Sequence, residues 1–249
     1  MPRRLSFLIC GSQKAGTSAL HRYLSQHPQL FLPKEKELHF FDNESLSWPK
    51  PDFGELHSYF RDALPNQLLG EATPITMYWD PAPERVWQYN PEMKLIVMLR
   101  DPVSRAYSHW AMESARNCES MQFRDAIALE EQRASTTRPL QDRVHSYIDR
   151  GFYSHQIRRL WRLFGKNNVL ILMQNYLQKN PQRCLEQICR HLNVSPMPTV
   201  KPLKERVGIY GEMMDDDVRC FLQQTFRSEI SQLEQMLNWD CSDWLETWK

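Results

Sequence analysis

The stretch Gly11 to Ser18, GSQKAGTS, gathers residue types that can hold an anion. An apolar run, Leu5 to Cys10 broken only by Ser6, precedes it, and a helical pattern resumes at Thr17. A strand–loop–helix of this kind turns backbone N–H groups and the positive end of a helix toward a negative ligand. Gly11 and Gly16 permit close backbone approach. Lys14 adds a point charge, and the hydroxyls of Thr17 and Ser18 add donors.

The position of the lysine narrows the chemistry. In the phosphate loop of ATP- and GTP-using proteins, GxxxxGK[ST], lysine follows the second glycine and the next hydroxyl holds magnesium. Here Thr17 follows Gly16, and the lysine comes two residues before that glycine. A sulfuryl group carries a single negative charge, so a metal is less necessary than for a triphosphate. One lysine at the oxygen bridging phosphate and sulfate can stabilise the leaving phosphate. The loop therefore favours a sulfuryl donor over a nucleoside triphosphate.

The elements that must position this loop follow from the rest of the chain. With 249 residues, 41% hydrophobic and 24% charged, the protein can bury a substantial core and is expected to form one α/β domain over residues 1–249. A formal net charge of +1 argues against a broad nucleic-acid surface. No apolar run approaches the roughly 20 residues that span a bilayer, and LSFLIC reads as a first strand rather than an export signal. The six cysteines lack metal-site spacing and are expected to be reduced thiols of a cytoplasmic protein.

Further strands are expected at Leu68 to Ala72, Lys94 to Arg100 and Val169 to Met173. KLIVMLR is a continuous apolar run of the sort buried on both faces of a parallel sheet. Helices are expected from Thr17 to near Pro28, and over Pro83 to Tyr89, Ser104 to Ala115, Phe123 to Arg133, Ser154 to Phe164 and Pro181 to Leu192. A final helix, Asp215 to Leu237, spaces Val218, Phe221, Leu222, Phe226, Ile230, Leu233 and Leu237 along one face. Alternating strands and helices imply a mainly parallel sheet whose ligands sit beyond the strand carboxyl ends. The loop at Gly11, Glu71 and the segment at Arg100 all fall at such ends. Pro196 to Met214 reads either as a loop folding over a nucleotide or as an ordinary connection.

With these residues in hand, the chain resembles sulfotransferases that use 3′-phosphoadenosine 5′-phosphosulfate (PAPS), and within them the heparan sulfate N- and 3-O-sulfotransferase branch. GSQKAGTSALHRYLSQHP resembles the family's 5′-phosphosulfate loop, KEKELHFFD its catalytic segment, and LRDPVSRAYSHW its 3′-phosphate-binding unit. RGFYSHQIRRLWRLFGKNNVLILMQNYL and KERVGIYGEM resemble the following helix–strand and the late loop over the donor. The resemblance implies a P-loop-like (nucleoside-kinase-like) α/β fold, a mainly parallel sheet flanked by helices, and PAPS as co-substrate with 3′,5′-adenosine bisphosphate as product and no metal. Lys14, Ala15, Gly16, Thr17 and Ser18 would hold the 5′ end, and Lys204 and Arg206 would contribute from the late loop. Arg100 and Ser108 make physical sense as a 3′-phosphate clamp, a planar fork plus a hydroxyl donor.

On the acceptor side, the resemblance makes Glu37 the base that takes the acceptor proton, with His39 orienting it or sharing the task. Taken alone, Glu37 is one carboxylate in a charged run, and such runs are usually solvated. Lys36, Glu71, Tyr153 and His155 are candidates for acceptor contact, the last two reading equally well as a core pair. Ala72 stands where the family often has lysine, with Lys36 as a candidate replacement, and Glu205 stands where it favours glycine. The acceptor would be a carbohydrate or a small molecule. A nucleotide or sugar kinase and a non-catalytic nucleotide-binding scaffold are the alternative readings. The missing lysine after Gly16 counts against the kinase, and Ala72 keeps the scaffold open.

Overall fold

The computed structural model describes residues 3–200 and 214–245. Its strands are β1 (Phe7–Gly11), β2 (Leu30–Phe31), β3 (Leu68–Ala72), β4 (Lys94–Leu99) and β5 (Val169–Met173). Its helices are α1 (Thr17–Leu24), α2 (Gly54–Ser58), α3 (Ala82–Tyr89), α4 (Pro102–Ala115), α5 (Phe123–Ala128) and α6 (Glu130–Thr137). They continue with α7 (Tyr153–Phe164), α8 (Gln174–Lys179), α9 (Pro181–Leu192) and α10 (Asp216–Leu237). The chain divides into two compact units, Met1–Leu99 with Arg159–Glu205, and Arg100–Arg158 with Arg206–Lys249.

The first unit carries the sheet. Among the described residues its five strands run in the order β2-β3-β1-β4-β5, and every pairing is parallel. All of β1 is buried, and so is β4 after Lys94, which is why both read as unbroken apolar runs. Phe7 opposes Lys94 and Ile9 opposes Ile96, and the register shifts between Ile9 and Gly11, where β1 turns into its loop. Phe7, Ile9, Ile96, Met98 and Leu172 pack with Leu20 and Leu24 of α1 and with Leu185, Ile188 and Leu192 of α9. Helix α9 buries Cys184, Leu185, Ile188, Cys189 and Leu192, one helical stripe, and stops at Asn193 in the left-handed region (φ 55°).

In the second unit, Asp101 caps α4 by accepting from the N–H groups of Val103 and Ser104, both at 3.0 Å, with Pro102 in the first turn. Helix α10 buries Val218, Leu222, Phe226, Ile230 and Leu233. The stripe is narrower than its apolar spacing predicts, because Phe221 is 55% exposed.

Two expectations need correction. The helix expected over Phe123 to Arg133 is two, α5 and α6, separated at Leu129 (φ −97°, ψ 0°). The bend turns the Glu130 carboxylate inward, where it accepts from the N–H groups of Ile148 and Asp149 at 2.7 and 2.8 Å. Helix α1 ends at Leu24, short of Pro28, with Ser25 at its C-cap donating to the His21 carbonyl through both its N–H (2.9 Å) and its hydroxyl (2.8 Å). Strand β2 and helices α2 and α8, each six residues or fewer, were too short to give a periodic signal.

Candidate active site

The loop after β1 is fixed by the sheet at one end and by glycine geometry at the other. The Ser12 N–H and hydroxyl both donate to the Met98 carbonyl of β4, at 2.7 and 3.0 Å. Lys14 (φ 71°) and Gly16 (φ 85°) both sit in the left-handed region, which folds the loop back on itself. A Cβ on Gly16 would also come within 3.3 Å of the Gln174 side chain at the start of α8. Gly16 is the N-cap of α1, and Leu20 N–H to Gly16 O is the helix's opening bond. The N–H groups of Thr17, Ser18 and Ala19 thus lie ahead of the helical ladder, as an anion site requires. Thr17 and Ala15 are buried and Ser18 is exposed.

The second constellation lies in irregular chain, residues 36–44, alongside β3. The Glu37 N–H donates to the Ala72 carbonyl at 2.9 Å. Glu37 (φ 64°) and His39 (φ 51°) both adopt left-handed backbone, costly for residues with a side chain and kept only where surroundings enforce it. Lys36 Nζ is ion-paired with Glu37 Oε1. His39 Nδ1 lies 2.9 Å from Oδ2 of Asp42, a fully buried carboxylate. A carboxylate oxygen can only accept there, so Nδ1 carries the proton. His39 Nε2 is then directed to Glu37 Oε2, 3.7 Å away. Asp42 thereby sets the tautomer and orientation of His39.

Behind them, Glu71 at the end of β3 is 2% exposed and accepts from Thr73 Oγ1 at 2.8 Å. Burial pushes its carboxyl up to about 7 and the Asp42 charge adds to this, while the Thr73 bond, His39 and Lys36 pull the other way. Four of the residues singled out in the sequence, Lys36, Glu37, His39 and Glu71, therefore form one acid–base cluster.

In the second unit, Arg100 directly follows β4, and its carbonyl accepts from Tyr153 Oη at 3.0 Å. Tyr153 is fully buried, so its body serves packing while its hydroxyl fixes the Arg100 backbone. Ser108 lies two turns along α4 and is 4% exposed. His155 is exposed on α7. Lys204 and Arg206 lie outside the described residues.

Two contributors escaped the sequence reading. Asp42 had a usable signal, a carboxylate three residues after a histidine. Gln174 had none, because it reaches Gly16 only through the end of β5.

A match to the family described as "Sulfotransferase domain" covers residues 5–207. Human bifunctional heparan sulfate N-deacetylase/N-sulfotransferase 2 is 25% identical across 96% of this chain, which spans 30% of that relative's length. A sulfotransferase crystal structure from Alicyclobacillus acidocaldarius is similar at a TM-score of 0.86 and 26% identity, covering 98% of this chain and 100% of that one. Mouse sulfotransferase SULT7A1, complexed with PAP, shares the fold at a TM-score of 0.53 and 16% identity, with 93% of this chain and 67% of that one covered. The chain belongs to the sulfotransferase domain family.

Proposed function

We propose that residues 1–249 act as one sulfotransferase domain. It moves the sulfuryl group of PAPS to a hydroxyl or amino group of a carbohydrate or small-molecule acceptor by direct in-line displacement. The bond from sulfur to the acceptor atom forms as the bond from sulfur to the bridging phosphate oxygen breaks. The electron pair leaves with 3′,5′-adenosine bisphosphate, and the acceptor proton goes to Glu37.

In this scheme Lys14 stabilises the bridging and leaving oxygens. Gly16, Thr17 and Ser18, with the backbone at Ala15, hold the 5′-phosphate, and Arg100 and Ser108 bind the 3′-phosphate. Lys204 and Arg206 contribute donor contacts. His39, oriented by Asp42 through Nδ1–H, turns an acceptor Nε2 toward Glu37 and supports it once it holds the acceptor proton. Lys36, Glu71 and His155 serve the acceptor side. Tyr153 serves the donor side instead, through the Arg100 backbone that its hydroxyl holds.

The observation that carries the reading is the Lys36–Glu37–His39–Asp42 cluster bonded to the end of β3 in the unit that also holds the Lys14 loop. Calorimetry with 3′,5′-adenosine bisphosphate and with Mg-ATP tests it. Tight binding of the bisphosphate is expected, and preference for Mg-ATP overturns it.

A cytoplasmic location goes with this reading. It is supported by six cysteines that are all free, and among the described residues no helix is long and apolar enough to cross a membrane. Cell fractionation checks it.

A further inference from the structure

Arg100 and Ser108, which flank the start of α4, are tied through a short chain of buried side chains to helix α10. Tyr153 Oη donates to the Arg100 carbonyl at 3.0 Å, so where Tyr153 sits decides where that backbone sits. Tyr153 is also the first residue of α7, and a helix start carries N–H groups with no partner inside the helix.

The first turn of α7 contains no acidic residue of its own. Glu229 of α10 supplies the acceptor instead. Its Oε1 takes the Ser154 N–H at 2.6 Å and its Oε2 takes the Ser154 hydroxyl at 2.9 Å. Glu229 is 4% exposed and Ser154 3%. One turn further on, Arg158 donates to Ser154 Oγ at 3.2 Å and to Gln232 Oε1 of α10 at 2.9 Å.

The same stretch of α10 also reaches the start of α4. A Cβ on Gly151 would lie 2.6 Å from the Phe226 ring and 3.2 Å from Cβ of Pro102, so no side chain fits there. Phe226 to Glu229, one helical turn, therefore packs at both the first turn of α4 and the first turn of α7.

Packing alone would be served by an apolar side chain, since a buried carboxylate is costly unless its oxygens are hydrogen-bonded. Both oxygens of Glu229 go to one residue, the neighbour of the tyrosine that fixes Arg100. A negative charge there also matches the positive end of α7. The planar fork of an arginine grips phosphate only from a fixed approach, so a small displacement of the Arg100 backbone weakens that grip.

We infer that Glu229 is a positioning residue for recognition of the 3′-phosphate, acting through Ser154, Tyr153 and the Arg100 backbone. The inference rests on the proposed role of Arg100 and Ser108 as the 3′-phosphate clamp.

The experiment uses the full chain and two nucleotides, 3′,5′-adenosine bisphosphate and adenosine 5′-monophosphate, which differ by the 3′-phosphate alone. The ratio of their Kd values, from calorimetry, isolates what the 3′-phosphate contributes. Glu229→Met removes both acceptor oxygens at similar volume, and Tyr153→Phe removes only the hydroxyl bonded to Arg100. Each is expected to weaken bisphosphate binding about tenfold, the scale of one misdirected hydrogen bond to a charged group, and to leave monophosphate binding nearly unchanged. Glu229→Gln keeps an acceptor for the Ser154 N–H and should rescue most of the ratio.

A general loss of structure would lower both affinities together. An unchanged ratio in folded Glu229→Met or in Tyr153→Phe overturns the inference. Should Glu229→Met fail to fold, Ser154→Ala, which severs one of the two bonds to Glu229, decides on the same ratio. Arg100→Ala tests the clamp itself. If it leaves the ratio unchanged, the 3′-phosphate assignment falls and the inference with it. If it collapses the ratio while the Glu229 and Tyr153 variants do not, only the inference falls.

Discussion

The loop after β1 and the segment 36–44 carry the two halves of the proposed chemistry, yet they are held by different means. The loop belongs to regular structure. A strand feeds it, a helix leaves it, and the Ser12 bonds to Met98 tie it to the neighbouring strand. The segment has no regular structure of its own. Beyond the one Glu37 N–H bond to the Ala72 carbonyl, side chains hold it: Asp42 on His39, Glu44 between Trp79 and Arg85, and Arg85 on the Phe41 carbonyl. Backbone grammar therefore positions the donor end, and a side-chain network positions the base. The first tolerates side-chain changes that the second does not.

The largest effect is expected at Lys14. Lys14→Ala removes a charge that acts chiefly in the transition state and should lower kcat by roughly 10²-fold or more. Because the loop backbone is independently fixed, bisphosphate affinity should fall far less, which steady-state kinetics beside calorimetry will show. Glu37→Gln should cost about 10²-fold in kcat with donor binding intact. Unaltered turnover would move the base elsewhere and undo the contrast.

Asp42→Ala should lower kcat about tenfold, the scale of one charge-assisted hydrogen bond. The pH–rate profile should change as well, since His39 loses its fixed tautomer. Gly16→Ala forces a side chain into left-handed backbone and against Gln174, and should destabilise the protein by about 1–2 kcal/mol. A urea titration measures it.

The smallest effect is a pH dependence. Glu71 in the first unit and Glu130 in the second both have carboxyls pushed by burial up to about 7. Raised values mean that the folded state keeps protons the unfolded chain releases. Their contribution is complete below the ordinary carboxylate range and fades as pH rises toward about 7. Glu71→Gln and Glu130→Gln should each flatten the fall of Tm across that window by roughly a few °C.

What was legible in the sequence follows the same contrast. β1, β3, β4, β5 and the loop at Gly11 are written in apolar runs and glycine spacing, so their bounds agree to within a residue or two. The roles of Arg85, Trp79 and Gln174 depend on contacts across 35 or more residues, to Phe41 and Glu44 or from the end of β5 to Gly16, and no local pattern announces them. Glu37 itself looks like one more charge in KEKE. Its left-handed backbone and its tie to Ala72 set it apart, and neither is visible in residue type. The break at Leu129 was equally hidden, because its cause is a carboxylate serving a stretch of backbone eighteen residues on.

Glu44 accepts from an indole and from two nitrogens of one guanidinium. One rim carboxylate thus works as a keystone for nine residues that lack a ladder of their own. Loosening it should let amides 36–44 exchange with solvent as a single block, well before any strand of the sheet opens.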